Sequence, residues 1–168
     1  MNNANLSLFK YIQADFDDYQ VLVADGDVMQ YISGDGLTVT EARTKFDSIL
    51  EINAADEHLG YFKVSDDKGL FIGDAKLERY KHDPSFLEIG YILKKDFWGK
   101  GFGSSICRIL LERAERLYPQ VDILGIIDPE NSASKRLLEK FGFVSFFVGI
   151  EDDVPTEKLI LRKSVTVK

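Results

Sequence analysis

Three glycines at alternate positions, Gly99, Gly101 and Gly103, stand just before an amphipathic stretch in FWGKGFGSSICRILLERAERL, residues 97–117. Glycine at this spacing lets the backbone turn tightly and leaves no β-carbon between main chain and ligand. A helix starting there points its unpaired N–H groups and the positive end of its dipole into the loop. The chemistry on offer is anion binding, with phosphate the usual occupant. Two familiar phosphate motifs fail on spacing. For G-x-G-x-x-G the third glycine comes one residue early, with Ser104 in its place, and G-x-x-x-x-G-K-[ST] does not occur. A bare glycine loop can also be structural, with Ser104 a plain helix cap and Lys100 a solvated lysine.

The second chemical group is a carboxylate. In FLEIGYIL, residues 86–93, alternation puts Glu88 on one strand face with Phe86, Gly90 and Ile92. Desolvation among those neighbours is expected to raise its pKa toward the range of a general base. The alternative is a salt-bridged glutamate on a half-wet strand. Cys107, the single cysteine, flanks the core face of the glycine-led helix and has no histidine near it in sequence, so packing is expected of it rather than nucleophilic attack. His58 and His82 lie in or near loops, too sparse for a metal site, and no metal is expected.

These groups need elements to hold them. Residues 6–12 read as a first strand. Asp15 is placed to cap a brief helix carrying Phe16, Tyr19, Leu22 and Val23, and residues 27–32 read as a further helical turn. Thr38 with Glu41 is a capping-box pattern, opening a helix with Ala42, Phe46, Ile49 and Leu50 on one face. Residues 60–64 and 70–77 form a hairpin, and 86–93 is the strand that feeds the glycine loop. Pro119 stops the long helix. Residues 121–127 read as a strand buried on both faces, and Asn131 opens a helix with Leu137, Leu138 and Phe141 inward, ended by Gly142. Residues 143–148 and 157–161 close the chain as a hairpin around EDDVPT. The order predicts an α+β fold, one mixed and mostly antiparallel sheet with helices on both faces.

A chain of 168 residues fits one domain, and its composition is that of an ordinary globular protein, 45% hydrophobic and 29% charged. No apolar run is long enough to span a bilayer and no secretory leader is visible, so the cytoplasm is the expected compartment. A net charge of −7 tells against a nucleic-acid binder, which needs a basic face. No membrane partner is expected either. Monomer and homodimer stay open, Phe146 and Phe147 being either an exposed edge or core.

Taken together, the strand FLEIGYIL, the loop WGKGFG, the long helix, the next strand and DPENSASKRLLEKFGF resemble the GNAT superfamily of acetyl-coenzyme-A-dependent N-acetyltransferases. The family loop has the pattern Q/R-x-x-G-x-G/A. Trp98-Gly99-Lys100-Gly101-Phe102-Gly103 matches both glycines, with tryptophan first, as is common in the ribosomal-protein N-terminal acetyltransferase-like branch. The resemblance implies a GNAT-like fold, acetyl-CoA as co-substrate and an amine-bearing acceptor, either a peptide N-terminus or a small molecule. It implies that backbone groups from Gly99 to Ser104 hold the pyrophosphate, with Lys100 adding charge. It further implies that Tyr91, Ile92 and Leu93 lie along the pantetheine arm, with an N–H near Leu93 polarising the thioester carbonyl, and that Asn131, or its helix-capping alternative, stands near that arm. Glu88 matches a glutamate that several members use as base. Tyr31 and His82 border the acceptor side by analogy. Many members place a tyrosine acid seven residues after the asparagine. Leu138 stands there instead, so Ser132, Ser134 or water is left to protonate the thiolate. A non-catalytic acyl-CoA-binding module is the alternative.

Overall fold

The computed structural model describes residues 5–163. A seven-stranded mixed sheet runs in the order β1-β2-β3-β4-β5-β7-β6. Its strands are β1 (Ser7–Lys10), β2 (Gly60–Ser65), β3 (Phe71–Arg79), β4 (Leu87–Leu93), β5 (Ile123–Ile127), β6 (Val144–Glu151) and β7 (Val154–Leu161). The helices are α1 (Phe16–Ala24), α2 (Gly26–Met29), α3 (Val39–Ala55), α4 (Phe102–Leu117) and α5 (Ser132–Lys140). The expected α+β architecture is therefore present. Among the described residues no helix is long and apolar enough to cross a membrane.

The chain forms two compact units, one running through Lys76 and adding Tyr91–Ile106, the other made of Leu77–Gly90 and the chain from Cys107 on. In the first unit β1 and β2 pair antiparallel. Tyr19, Leu22 and Val23 of α1 and Ala42, Phe46 and Ile49 of α3 recur at helical spacing and are buried together around Tyr11. The Tyr11 and Tyr19 rings meet Phe46 at 5.4 and 5.1 Å between centroids. Asp25 starts α2 by accepting from the N–H groups of Asp27 and Val28. Thr38 Oγ1 accepts from Glu41 N–H at 3.1 Å, while the Thr38 hydroxyl, not its N–H, donates to the Glu41 carboxylate at 3.0 Å. The capping box is thus half made. Asp15 does not cap α1 with its side chain. It accepts from Ile12 N–H at 2.9 Å and pairs with Lys63 at 3.1 Å, because the short 3-10 turn ahead of α1 turns its carboxylate back toward the entering chain.

In the second unit β4 and β5 pair in parallel, Leu87 with Ile123, Glu88 with Leu124 and Ile89 with Gly125, and there the ladder ends. On its other side β5 pairs antiparallel with β7 along its whole length. The strand predicted over 121–127 begins only at Ile123, and its last two residues are half-buried rather than enclosed on both faces. The closing hairpin is longer and tighter than its sequence suggests. Asp152 and Asp153 take φ of 53° and 63° and form a two-residue turn, and most of EDDVPT belongs to the strands. Asparagine and aspartate tolerate this left-handed region, and such turns match the twist of paired strands. Phe146 is the extra residue of a bulge, exposed at the sheet edge, while Phe147 is half-buried against Lys158.

Candidate functional site

Within the first unit, β4 ends at Leu93 and the chain passes through a 3-10 turn, Lys95–Phe97, absent from the sequence-based expectation, before reaching the glycines. Gly99 and Gly101 adopt φ of +70° and +84°, and a β-carbon built on either would meet no atom within 4 Å. Both facts suit a cradle: the backbone is left-handed, where only glycine is unstrained, and the space above it is open. The first α-helical bond of α4 runs from Ser105 N–H to Gly101 O at 3.1 Å. The N–H groups of Phe102, Gly103 and Ser104 stand ahead of that bond in the first turn of α4, the part of a helix whose N–H groups receive caps or anions. Gly103 is a correction: it lies buried in the first turn of α4 rather than in the loop. Ser104 is half-buried and Lys100 exposed, its Nζ 5.9 Å from the Phe97 ring centre. Phe102 packs edge-on to Phe97 at 5.6 Å. Trp98 is 45% exposed, and its indole Nε1–H donates to Leu93 O at 3.0 Å.

The loop is anchored by its helix, where Ile106, Cys107, Leu110 and Ala114 are buried. Burial pushes the Cys107 thiol up to about 12, so it is a packed residue and not a thiolate nucleophile at neutral pH. On β4 itself Tyr91 and Ile92 are half-buried and Leu93 buried. The Ile92 side chain packs against the Tyr11–Phe46 cluster. At Gly73 of β3 an added β-carbon would collide with Ile92 O, so the two backbones approach closely at this point. Tyr31 is exposed, in the turn after α2.

In the second unit Glu88 is buried to 8% exposure within the short β4–β5 ladder. Asn131 Oδ1 accepts from Ser134 N–H at 3.2 Å, so it caps α5. Ser134 is half-buried and Ser132 exposed. Leu138, at the place of the family's tyrosine acid, is buried over β5: a β-carbon on Gly125 would lie 2.6 Å from its Cδ1. His82 belongs to a charged cluster. Its Nε2 lies 2.9 Å from Asp152 and 3.7 Å from Glu151, and the three ligand atoms lie within 4.8 Å of one another. That grouping already holds cations of its own, Lys81 on Asp152 at 2.7 Å and Lys158 on Glu151.

Two buried acids, Asp74 and Glu157, do not stand out in the sequence. Asp74 of β3 is 5% exposed, and the Tyr11 hydroxyl donates to its Oδ2 at 3.2 Å. Burial raises the Asp74 pKa to about 7, although the Tyr11 hydrogen bond and the charges of Lys76 and Lys45 work against the shift. Burial, with Asp74 beside it, also holds the Tyr11 hydroxyl well above its ordinary value. The available signal was an aspartate inside the otherwise strand-like FIGDAKLER.

Residues 5–144 match the model of the acetyltransferase (GNAT) domain. The chain belongs to the GNAT acetyltransferase family. The uncharacterised protein YkkB of Bacillus subtilis (strain 168) is 30% identical over 132 residues, 74% of this chain and 72% of its own length. Among solved structures, spermidine N-acetyltransferase from Vibrio cholerae, in complex with CoA and spermine, superposes with a TM-score of 0.76 at 18% identity, covering 93% of this chain and 94% of that one. RimL, a ribosomal L7/L12 α-N-protein acetyltransferase in complex with coenzyme A, gives 0.77 at 13% identity and covers 94% of both chains. At these identities the two structures establish the GNAT fold. In this GNAT chain the glycine loop, the β4 strand and the helix opened by Asn131 follow one another as in the resemblance drawn from sequence.

Proposed function

We propose that this GNAT chain is an acetyl-CoA-dependent N-acetyltransferase, a single cytoplasmic catalytic domain that moves an acetyl group to a primary amine on a protein N-terminus or a small molecule. The observation that carries this is the loop: two left-handed glycines with open space above them lead at once into the first turn of a long helix. Backbone N–H groups from Gly99 to Ser104 would hold the pyrophosphate, Lys100 would add charge, and Trp98 and Phe102 would frame the loop. Main-chain groups of Tyr91, Ile92 and Leu93 would run beside the pantetheine arm. Because Asn131 Oδ1 is engaged at the start of α5, its contact with the arm would be made by its Nδ2–H groups. That relatives of this fold were solved with CoA bound supports the assignment.

Acetyl-CoA supplies the activated acetyl group, and the residues of the chain do the rest. Most amines are protonated at neutral pH, so a base must first accept a proton, and Glu88 takes that role directly or through water. The N–H near Leu93 steadies the oxyanion as the amine attacks. With Leu138 packed in the core, Ser132, Ser134 or water returns a proton to the departing thiolate. Tyr31 and His82 border the acceptor, and the mechanism needs no metal, nucleic acid or membrane. The buried leucine at 138 also favours a second reading, a module that binds acyl-CoA without turning it over.

The test is release of free thiol from acetyl-CoA in the presence of N-terminal peptides, polyamines, aminoglycosides and amino acids, with thermal stabilisation by acetyl-CoA recorded on the same samples. Acceptor-dependent thiol release is expected. Stabilisation without release across the acceptors favours the binding module. Folded protein that shows neither signal defeats the coenzyme assignment.

A further inference from the structure

Between the last residue of β4 and the first left-handed glycine the chain is closed by a set of short-range bonds. Lys94 N–H donates to Ile72 O at 2.9 Å and fixes the start of the turn to β3. Phe97 N–H donates to Lys94 O at 2.9 Å, and Trp98 N–H to Lys95 O at 3.1 Å. The indole then reaches back across the whole turn to Leu93 O at 3.0 Å. Trp98 is the chain's only tryptophan, and 45% of it is exposed, so filling the core does not account for it. Indole nitrogen is a donor only, and here its single hydrogen bond joins the first residue of the loop to the last residue of the strand. The indole N–H is committed to Leu93 O, which leaves it no proton to offer a phosphate.

We propose that Trp98 is a positioning residue: its indole strut sets the distance between the phosphate-binding loop and the end of β4, so that the nucleotide and the pantetheine arm of coenzyme A bind as one ligand. The proposal rests on the coenzyme reading given above. Its physical basis is preorganisation. Two contact regions held at the right separation bind a two-part ligand more tightly than the same regions joined by a loose turn, while each part alone gains nothing from the strut.

The experiment compares CoA with 3′-phosphoadenosine 5′-diphosphate, which keeps the pyrophosphate and lacks the pantetheine arm, by isothermal titration calorimetry. The proteins are the wild type, Trp98→Phe, and a protein made in a tryptophan auxotroph with β-(3-benzothienyl)alanine, which keeps the bicyclic shape and replaces the N–H by sulfur at this one position. Far-UV circular dichroism melting confirms that all three are folded. Both replacements should raise the Kd for CoA about three- to tenfold, the scale of one lost hydrogen bond, and leave that for the arm-less nucleotide within about twofold. In the wild type the single indole N–H resonance should exchange slowly with solvent. Equal weakening of both ligands, or no weakening of CoA, overturns the strut while leaving the coenzyme assignment intact. Wild-type protein that binds neither ligand overturns the assignment itself, and the strut's role with it.

Discussion

Asp74 should make this protein less stable as the pH rises through neutrality. In the folded chain its pKa is about 7, against 3.8 for an ordinary aspartate, and burial is the main cause. A carboxyl group whose folded pKa is raised binds more protons in the folded than in the unfolded state between those two values. Its contribution is therefore fully favourable below about pH 4 and is lost progressively as the pH climbs to about 7. At ~1.4 kcal/mol per pKa unit the gap amounts to about 4 kcal/mol, a large fraction of the stability of a typical domain. Asp74→Asn removes the titration and keeps an oxygen able to accept from the Tyr11 hydroxyl. Urea unfolding of both proteins at pH values from about 4 to about 8 isolates the effect, because every other titrating group is common to the two and cancels in the difference. Wild type should lose about 4 kcal/mol more than the variant over that interval, with the loss complete near pH 8. Parallel stability profiles for the two proteins would refute the reasoning. Tyr11→Phe supplies the sign control: it removes a hydrogen bond that lowers the Asp74 pKa, so the loss should move to higher pH.

Three further outcomes follow from the same geometry. Glu88→Gln should cut the turnover number by about a hundredfold or more and leave acetyl-CoA affinity nearly unchanged, measured by steady-state thiol release and calorimetry; unaltered turnover removes Glu88 from the role of base. Gly101→Ala, at φ +84°, should cost about 1–2 kcal/mol in strain and weaken CoA at least about tenfold, since its methyl group enters the open space above the loop; unchanged CoA affinity would mean that the loop is not the cradle. Gly125→Ala drives a methyl group into Leu138 and should destabilise by about 1–3 kcal/mol in chemical unfolding, whereas the double change with Leu138→Ala should cost less than the two single effects added; strict additivity would deny the contact.

The parts of the fold legible in the sequence are those fixed over a few residues. The left-handed turns at Gly99 and Gly101, the Gly142 terminus at φ +94° and the Thr38 cap all depend on neighbours within one turn of chain, so residue type and spacing reveal them. Asp15 failed as a side-chain cap because an earlier turn and Lys63, 48 residues away, hold its carboxylate instead. The closing turn was misjudged because a pair of aspartates in EDDVPT looks like solvated loop, while the twist of two strands forces both into left-handed backbone. The site divides along the same line. The glycine turns and the Asn131 cap depend on neighbours within a few residues, whereas Trp98 discloses its part only through the Leu93 carbonyl.

The criterion that singled out Glu88, an acid inside an apolar strand, applies equally to Asp74, which lies in no motif. The two now rest on different grounds. Glu88 has the place in the chain, five residues before the end of β4 and the loop that follows. Asp74 has the protonation behaviour, a pKa of about 7 that suits proton transfer at neutral pH, but its partner is Tyr11 within the α1–α3 core. A base must reach the substrate's proton, directly or through one water, before its pKa matters, and the Asp74 oxygen already accepts from a buried hydroxyl. The pH dependence of turnover separates the two. If Asp74 were the base, Asp74→Asn would abolish turnover and Glu88→Gln would leave a profile with an inflection near pH 7. If Glu88 is the base, Asp74→Asn keeps turnover at neutral pH and changes only the range of pH over which the protein stays folded.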